Sequence, residues 1–107
     1  MKETIYNAQV LSNVVKEGKK FDQDKPDYSL MPSHAEESVV KVLTFGAKKY
    51  DRENWKKVPD AKNRYYAAAR RHMEDWRQGV KTDNETGESH LSHAICCLLF
   101  LSELDQE

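Results

Sequence analysis

HLSHAICCLLFLSEL, at residues 90–104, is the most apolar stretch of this chain. Its length and composition predict an α-helix over residues 91–104, opened by His90 and His93, which we call predicted helix C. Residues three apart share one face of a helix, so the two imidazoles are expected to lie side by side. Because helix C is apolar nearly all round, it is expected to be buried by the domain and by a partner chain as well.

A second helix, predicted helix B, is expected to follow Asp60 as its N-cap and to run to about Arg77. His72 lies on the inner face of this helix, and Asp75 lies at the edge of that face. A helix that ends near residue 77 and one that starts near residue 89 make an antiparallel pair. This pairing brings His72 and Asp75 to the end of the hairpin that carries the two histidines of helix C.

A third helix, predicted helix A, spans Ser33 to about Tyr50. Ser33 and Glu36 have the spacing of a capping box. Glu36 also falls inside the apolar stripe of the helix, and Glu37 falls on its shoulder. A carboxylate in an apolar stripe is costly unless it is paired or bound to a cation. A carboxylate in the first helical turn can instead complement the helix dipole, so both interpretations of Glu36 stay open.

Length and composition define the class of protein. The chain has 107 residues, enough for one domain, with an N-terminal arm over residues 1–32 and a helical core over 33–107. The arm contains a short amphipathic segment at residues 5–15 and is expected to pack on another part of the assembly, for which another subunit is one alternative. The adjacent Cys96 and Cys97 are expected to be buried, reduced thiols.

Charge and hydropathy exclude two classes of partner. The net charge is -1, with 33% charged residues of mixed sign, which predicts no direct binding to nucleic acid. The longest apolar run, residues 94–101, is too short to span a bilayer, and the N-terminus lacks a secretory signal. We therefore expect a cytoplasmic protein with no membrane partner.

Imidazoles and carboxylates are expected to gather where the start of helix A, the end of helix B and the start of helix C meet. An isolated inward histidine is more often a hydrogen-bonded core residue, but the convergence of three histidines with several acids favours a metal site. Imidazole with carboxylate suits divalent transition ions, and Mn²⁺ fits the mixture best, with Mg²⁺ as the alternative. The predicted ligands are Glu36, Glu37, His72, Asp75, Asp83, Glu85, His90 and His93.

A cluster of this kind can bind phosphate oxygens, polarise phosphorus and lower the pKa of bound water, which favours hydrolysis of a nucleotide polyphosphate. No Walker sequence is present, so the phosphates would be held by the metal and by Arg64, Arg70 and Arg71. These arginines could equally be surface residues.

Further basic and aromatic residues fall near the other end of helix A, about 17 Å from Glu37 at about 1.5 Å per residue. At that distance they are expected to reach the same site only across a subunit interface. Trp55 offers a stacking face for a base, and the alternative is that it packs under its loop. These candidate substrate contacts are Lys48, Lys49, Asn54 and Trp55.

Several motifs carry a family resemblance that covers residues 20–101. They are Phe21-Asp22 with Lys25-Pro26, LTFGAKKY at 43–50, Asn54-Trp55, Arg71-His72 with Trp76, Asp83-x-Glu85-x-Gly87 and His90-Leu91-x-His93-Ala94. In these motifs the chain resembles the phage-type dATP/dGTP diphosphohydrolase N-terminal family, which is related to the MazG-like all-α nucleoside triphosphate pyrophosphohydrolases.

The resemblance implies an α-helical, oligomeric, metal-dependent enzyme that cleaves a deoxynucleoside triphosphate to the monophosphate and pyrophosphate. It implies functional positions at Glu37, His72, Asp83, Glu85, His90 and His93. The wider MazG-like proteins carry Glu-Glu-x-x-Glu and Glu-x-x-Asp metal motifs. Here Glu36-Glu37 is followed by Val40 in the third place, and the second motif reads His90-x-x-His93.

We therefore expect an all-α antiparallel bundle of the four-helix, MazG-like type, assembled as a homodimer or homotetramer. Its expected activity is hydrolysis of purine deoxynucleoside triphosphates between the α and β phosphates, in the host cytoplasm if the chain is phage-encoded. The catalytic residues would be Glu37, His72 and Glu85. The alternative is a non-catalytic helical module whose His/acid cluster binds a structural ion or pairs in the core.

Overall fold

A computed structural model describes residues 17–106 of the chain. Within this range the protein is all-helical, as predicted. It contains α1 (Ser33–Lys49), α2 (Ala61–Arg77) and α3 (His90–Leu104), with short 3-10 turns at Tyr28–Leu30 and Asn54–Lys57. The described part of the chain thus holds three α-helices, not four. The predicted amphipathic segment at residues 5–15 lies outside the described residues.

The first turn of α1 differs from the prediction. The carbonyl oxygen of Pro32 accepts the Glu36 N–H at 3.0 Å, so Pro32 is the N-cap and Ser33 already lies inside the helix. The predicted capping box between Ser33 and Glu36 is therefore wrong. A serine with helical backbone angles no longer stands beside the unpaired N–H groups that an N-cap hydroxyl accepts.

Asp60 is the N-cap of α2, as predicted, but its side chain does not cap the helix. Its backbone is left-handed, at φ 55° and ψ 41°, and its carboxylate accepts the Asn63 amide at 3.1 Å. The expected capping hydrogen bond is wrong because this conformation turns the carboxylate away from the N–H groups of the first turn.

Helices α2 and α3 form the predicted antiparallel hairpin. Lys62, at the start of α2, lies 3.4 Å from the Asp105 carboxylate just beyond α3. At the other end, the Nδ1 atoms of His72 and His90 are 2.8 Å apart. Both contacts require the two helices to run side by side in opposite directions, which places the histidines at the loop end of the hairpin.

Helix α1 packs mainly on α3. Val39 and Val42 form a small apolar cluster with Cys96, whose thiol donates to the Val39 carbonyl at 3.6 Å. Ser38 lies 2.6 Å from the Ser92 hydroxyl, so the second turn of α1 reaches the start of α3. This polar and apolar seam is what positions α1 beside the candidate site.

The buried core of the described residues is small. Its hydrophobic members are Val39, Val42, Ala69, Ala94, Cys96, Cys97 and Leu104. The expectation that helix C is buried on all sides is not met within residues 17–106, because a face of α3 formed by Leu91, Ile95, Leu98 and Leu99 is 37–50% exposed. No helix in residues 17–106 has the length and hydropathy needed to cross a membrane.

Candidate functional site

Three histidines meet at the loop end of the α2–α3 hairpin, as the sequence predicted. We call His72, His90 and His93 the imidazole cluster. The His72 ring stacks on His93, with centroids 4.7 Å apart and planes 19° from parallel. The same ring shares its Nδ1 hydrogen bond with His90, which is a buried residue. His72 is therefore the central member of the cluster and contacts both of the others.

Two aspartates flank the imidazole cluster. Asp75 Oδ2 lies 3.9 Å from His90 Nε2, and Asp83 Oδ2 lies 3.6 Å from His93 Nε2. Both carboxylates were predicted to belong to the site. They stand at its edges and face the outer nitrogens of the two α3 histidines.

The loop before α3 is organised around Asp83. Its Oδ2 accepts the backbone N–H groups of Glu85 and Thr86, each at 3.0 Å. Thr86 Oγ1 lies 2.7 Å from His93 Nε2 and accepts the Glu88 N–H at 3.1 Å. Thr86 was missed from sequence, although the pattern Asp-x-x-Thr-Gly is typical of a turn that a side-chain oxygen stabilises.

The Nδ1–Nδ1 hydrogen bond constrains the tautomers of His72 and His90, because one ring has to donate and the other has to accept. A carboxylate near His90 Nε2 favours the proton on that nitrogen. His90 Nδ1 is then the acceptor and His72 Nδ1 the donor. In this arrangement the lone pair of His72 lies on Nε2, where it can accept a proton.

Burial lowers the pKa of His72, and the neighbouring His93 and His90 rings lower it further. Burial also lowers the pKa of His93, although the Asp83 charge opposes this. For Asp83, burial alone would raise the pKa, but hydrogen bonds from Thr86 and Glu85 and the nearby His93 bring the pKa below its usual value. At neutral pH the site therefore combines the neutral imidazoles of His72 and His93 with the ionised carboxylate of Asp83.

We expect the free energy of unfolding to fall as the pH is lowered from 7.5 to 5.5 in the presence of a chelator. The unfolded chain binds protons at the ordinary histidine pKa, whereas the fold keeps His72 and His93 neutral to lower pH. Each extra proton on the unfolded chain gives a slope of up to about 1.4 kcal/mol per pH unit. Urea unfolding at three pH values measures the slope.

The matched control for this pH series is His34→Gln, because His34 is an exposed residue of α1 outside the imidazole cluster. It should leave the slope as in the parent chain, while His93→Gln should reduce it. A stability that stays constant or rises toward pH 5.5 would contradict the assignment.

The glutamates at the start of α1 are exposed to solvent. Glu36 and Glu37 are exposed, and the Glu37 carboxylate lies 3.9 Å from Lys41 on the same helix. Glu85, in the loop that carries Asp83, pairs instead with Lys49 at 2.8 Å. The prediction that Lys49 reaches this region only from another subunit is wrong, since its ammonium contacts the loop that carries Asp83 within the same chain.

The other predicted substrate contacts are scattered. Trp55 and Asn54 are half-buried, and the Trp55 ring stacks on Phe100 with centroids 4.8 Å apart, so the packing alternative for Trp55 is confirmed. Arg64 donates to the Pro59 carbonyl at 3.3 Å. The exposed remainder of the set is Lys48, on the outer face of α1, and Arg71, on α2.

The imidazole and carboxylate groups of the site are of the types that bind divalent ions. They are not, however, arranged around a common point at which such an ion could lie. In residues 17–106 no group of three His, Cys, Asp or Glu side chains is placed to hold a metal ion. His72 and His90 direct their Nδ1 atoms at each other, and His93 directs Nε2 at Thr86. As it stands, the site is a hydrogen-bonded imidazole cluster with a carboxylate at either edge.

Comparison with known proteins places the chain in a family. The family model described as dATP/dGTP diphosphohydrolase, N-terminal, matches residues 15–107. A Salmonella phage PMBT28 protein named dATP/dGTP diphosphohydrolase is 37% identical over 84 residues, which are 78% of this chain and 28% of that protein. The chain thus spans under a third of the length of this relative. No solved structure matches the chain. A relationship to MazG-like proteins stays a prediction. The family model matches nearly the whole chain, and this match shows that the chain belongs to the dATP/dGTP diphosphohydrolase N-terminal family.

Proposed function

We propose that this chain acts in the hydrolysis of dATP- and dGTP-type deoxynucleoside triphosphates to the monophosphate and pyrophosphate. Membership of the family and the name of the phage relative support a nucleotide hydrolase. The observation that carries the proposal is the imidazole cluster itself, in which a central neutral histidine is hydrogen-bonded to a second and stacked on a third.

In the proposed reaction, the oxygen of a water molecule attacks the α phosphorus, and the bond from that phosphorus to the bridging oxygen breaks. The proton of the attacking water passes to His72 Nε2, which carries the lone pair. His90 holds the ring of His72 through the Nδ1 bond, and Asp75 favours the required tautomer of His90. A neutral imidazole with a lowered pKa is suited to accepting a proton near neutral pH.

A divalent ion, Mn²⁺ or Mg²⁺, is part of the proposal. When bound, such an ion would polarise the phosphate oxygens and offset their charge. The side chains that would hold it are His93, Asp75 and Asp83, since His72 Nε2 receives the proton and His90 Nδ1 accepts from His72. The proposed ligand set also includes Glu36, Glu37 and Glu85, which lie outside the imidazole cluster. Glu37 and Glu85 are also the proposed acid/base groups.

The substrate phosphates would be held by basic side chains near the loop that carries Asp83. Lys49 is the best placed of these, because its ammonium lies at the Glu85 carboxylate, two residues from Asp83. Loss of this ion pair on substrate binding would free the ammonium for a phosphate. The remaining proposed substrate contacts are Lys48, Asn54, Arg64 and Arg71.

The test is incubation of the purified chain with each of the four deoxynucleoside triphosphates and Mn²⁺, followed by separation of the products. We expect dATP and dGTP to yield the monophosphate and pyrophosphate, and a chelator to stop the reaction. Release of inorganic phosphate, or no turnover of any of the four substrates, would contradict the proposal.

A second candidate function is a non-catalytic helical module. It is favoured by one observation: the cluster satisfies its own hydrogen bonds, between His72 and His90 and between His93 and Thr86. A module of this kind predicts that neither dATP nor dGTP raises the melting temperature, whereas bound substrate stabilises the folded chain by mass action.

A further inference from the structure

Three polar side chains form a hydrogen-bonded chain that joins α1, the loop before α3 and α3 itself. The Ser38 hydroxyl of α1 donates to Glu88 Oε1 at 2.8 Å, and its oxygen lies 2.6 Å from the Ser92 hydroxyl. A hydroxyl carries one proton, so Ser92 has to be the donor in the second of these contacts. The order of donation is therefore Ser92 to Ser38 to Glu88. We call these three residues the serine–glutamate bridge.

The bridge joins side chains that the fold partly withdraws from solvent. Ser92 is a buried residue, and Ser38 and Glu88 are half-buried. Burying a hydroxyl is costly unless it is hydrogen-bonded, so the Ser92 hydroxyl needs the acceptor that Ser38 provides. Ser38 in turn needs Glu88, because its own proton has to point at an acceptor. Removal of one member therefore affects the contacts of the other two, and the three side chains act as a unit.

The backbone of Glu88 connects the bridge to the loop that carries Asp83. Its N–H donates to Thr86 Oγ1 at 3.1 Å, and its carbonyl oxygen accepts the Asp83 N–H at 2.8 Å. Thr86 Oγ1 also lies 2.7 Å from His93 Nε2. Glu88 is thus connected to α1 by its side chain and, through one intervening residue, to the imidazole cluster by its backbone.

The apolar contacts between α1 and α3 do not by themselves fix the position of this loop. Val39 packs at Cys96, which lies one turn of α3 beyond Ser92. Apolar packing is non-directional and tolerates small shifts along a helix axis, whereas a hydrogen bond weakens when its donor and acceptor move out of line. The bridge therefore supplies directional contacts at the end of α3 that carries the histidines.

We propose that Glu88 is a positioning residue of the imidazole cluster. Through Ser38 it holds the loop on α1, and through Thr86 it holds the ring of His93 in its observed orientation. The catalytic consequence of this inference rests on the proposed function, whereas the orientation of His93 is a property of the folded chain alone. Because the bridge acts through His93 and not on the substrate, its loss should lower kcat and leave KM unchanged.

The first test observes the His93 ring in long-range proton–nitrogen NMR spectra of the ¹⁵N-labelled full chain, without nucleotide or metal. Alanine is favoured within a helix, so Ser38→Ala keeps α1 folded while it removes the link to Glu88. We expect Ser38→Ala and Glu88→Ala each to shift the His93 Nε2 signal, and the double variant to shift it no further, because both remove the same bridge. Glu103→Ala, which replaces an exposed glutamate of α3, is the matched control. A His93 signal that stays unchanged in either single variant would overturn the proposal.

The second test separates the hydrogen bond of Glu88 from its charge. Glu88→Gln removes the charge but retains an oxygen that accepts from Ser38, so it should keep the parent His93 signal and the parent kcat. Glu88→Ala should instead lower kcat for dGTP about 10-fold at unchanged KM, the effect of a misplaced catalytic group. If Glu88→Gln behaves like Glu88→Ala, the charge acts on His93 and the bridge is overturned. A parent chain without turnover contradicts the proposed function alone, because the His93 signal decides the bridge without nucleotide.

Discussion

Replacement of His72 by alanine is expected to lower the rate of the proposed dATP and dGTP hydrolysis at least about 100-fold, the usual contribution of a positioned proton acceptor. His72 makes the closest contacts with both of the other histidines, through a 2.8 Å hydrogen bond and a stacked ring, whereas the His90 and His93 ring centroids are 6.5 Å apart. Its loss removes the proposed proton acceptor and leaves a buried His90 nitrogen unpaired. The measurement is kcat/KM for each nucleotide, with the melting temperature of the same preparation.

A pair of further substitutions separates chemistry from folding. The amide of His72→Asn can still donate to His90 at the position of Nδ1, but it has no equivalent of Nε2. We therefore expect His72→Asn to keep most of the stability and to lose the hydrolysis. Met73→Ala is the matched control, because Met73 is the next residue of α2 and is 43% exposed. Full activity of His72→Asn would exclude Nε2 as the proton acceptor and favour a structural role for the cluster.

Sequence periodicity was sufficient to predict the helices and the hairpin. The apolar spacing of α2 and α3, with the Gly79 to Gly87 segment between them, predicted an antiparallel pair with three histidines at its loop end. Both glycines have positive φ, at 97° and 75°, which is the backbone that ends one helix and turns the chain toward the next. Periodicity of this kind reports which side of a helix is buried, and that is why it located His72 correctly.

The docking of α1 and the capping contacts could not be predicted in the same way. A helical wheel identifies the apolar stripe of α1 but not the helix against which that stripe packs, so it left both interpretations of Glu36 open and did not predict that Glu37 is exposed. The reach of Lys49 was underestimated because distance was counted along the helix axis. A lysine side chain extends well beyond its own turn, and here it ends at Glu85.

The loop before α3 was only partly predicted, because its structure depends on hydrogen bonds that no periodic pattern encodes. Asp83 was recognised as an acid near the site, and its position is confirmed by the 3.6 Å approach of its carboxylate to His93. Most hydrogen bonds of this carboxylate are made within its own loop, however. It binds the backbone of the next turn and orients Thr86, which in turn contacts His93.

Asp83→Ala is accordingly expected to lower the free energy of unfolding by about 2–3 kcal/mol, within the range for removing a charged hydrogen-bond acceptor. The substitution leaves the N–H groups of Glu85 and Thr86 without their carboxylate and removes the negative charge beside His93. Because the loop leads directly into α3, this loss loosens the turn that sets the two α3 histidines. Urea denaturation at pH 7.5 measures the change.

Two variants resolve the contributions within that loss. Asp83→Asn retains an oxygen that can accept hydrogen bonds from the loop N–H groups. Its free energy of unfolding should therefore fall about half as much as that of Asp83→Ala. Thr86→Val preserves the size of the side chain but removes the hydroxyl that lies 2.7 Å from His93 Nε2. We therefore expect this variant to change mainly the orientation of the His93 ring. If Asp83→Ala were as stable as the parent chain, the carboxylate would not organise the loop, and the orientation of His93 would have to come from its packing against His72.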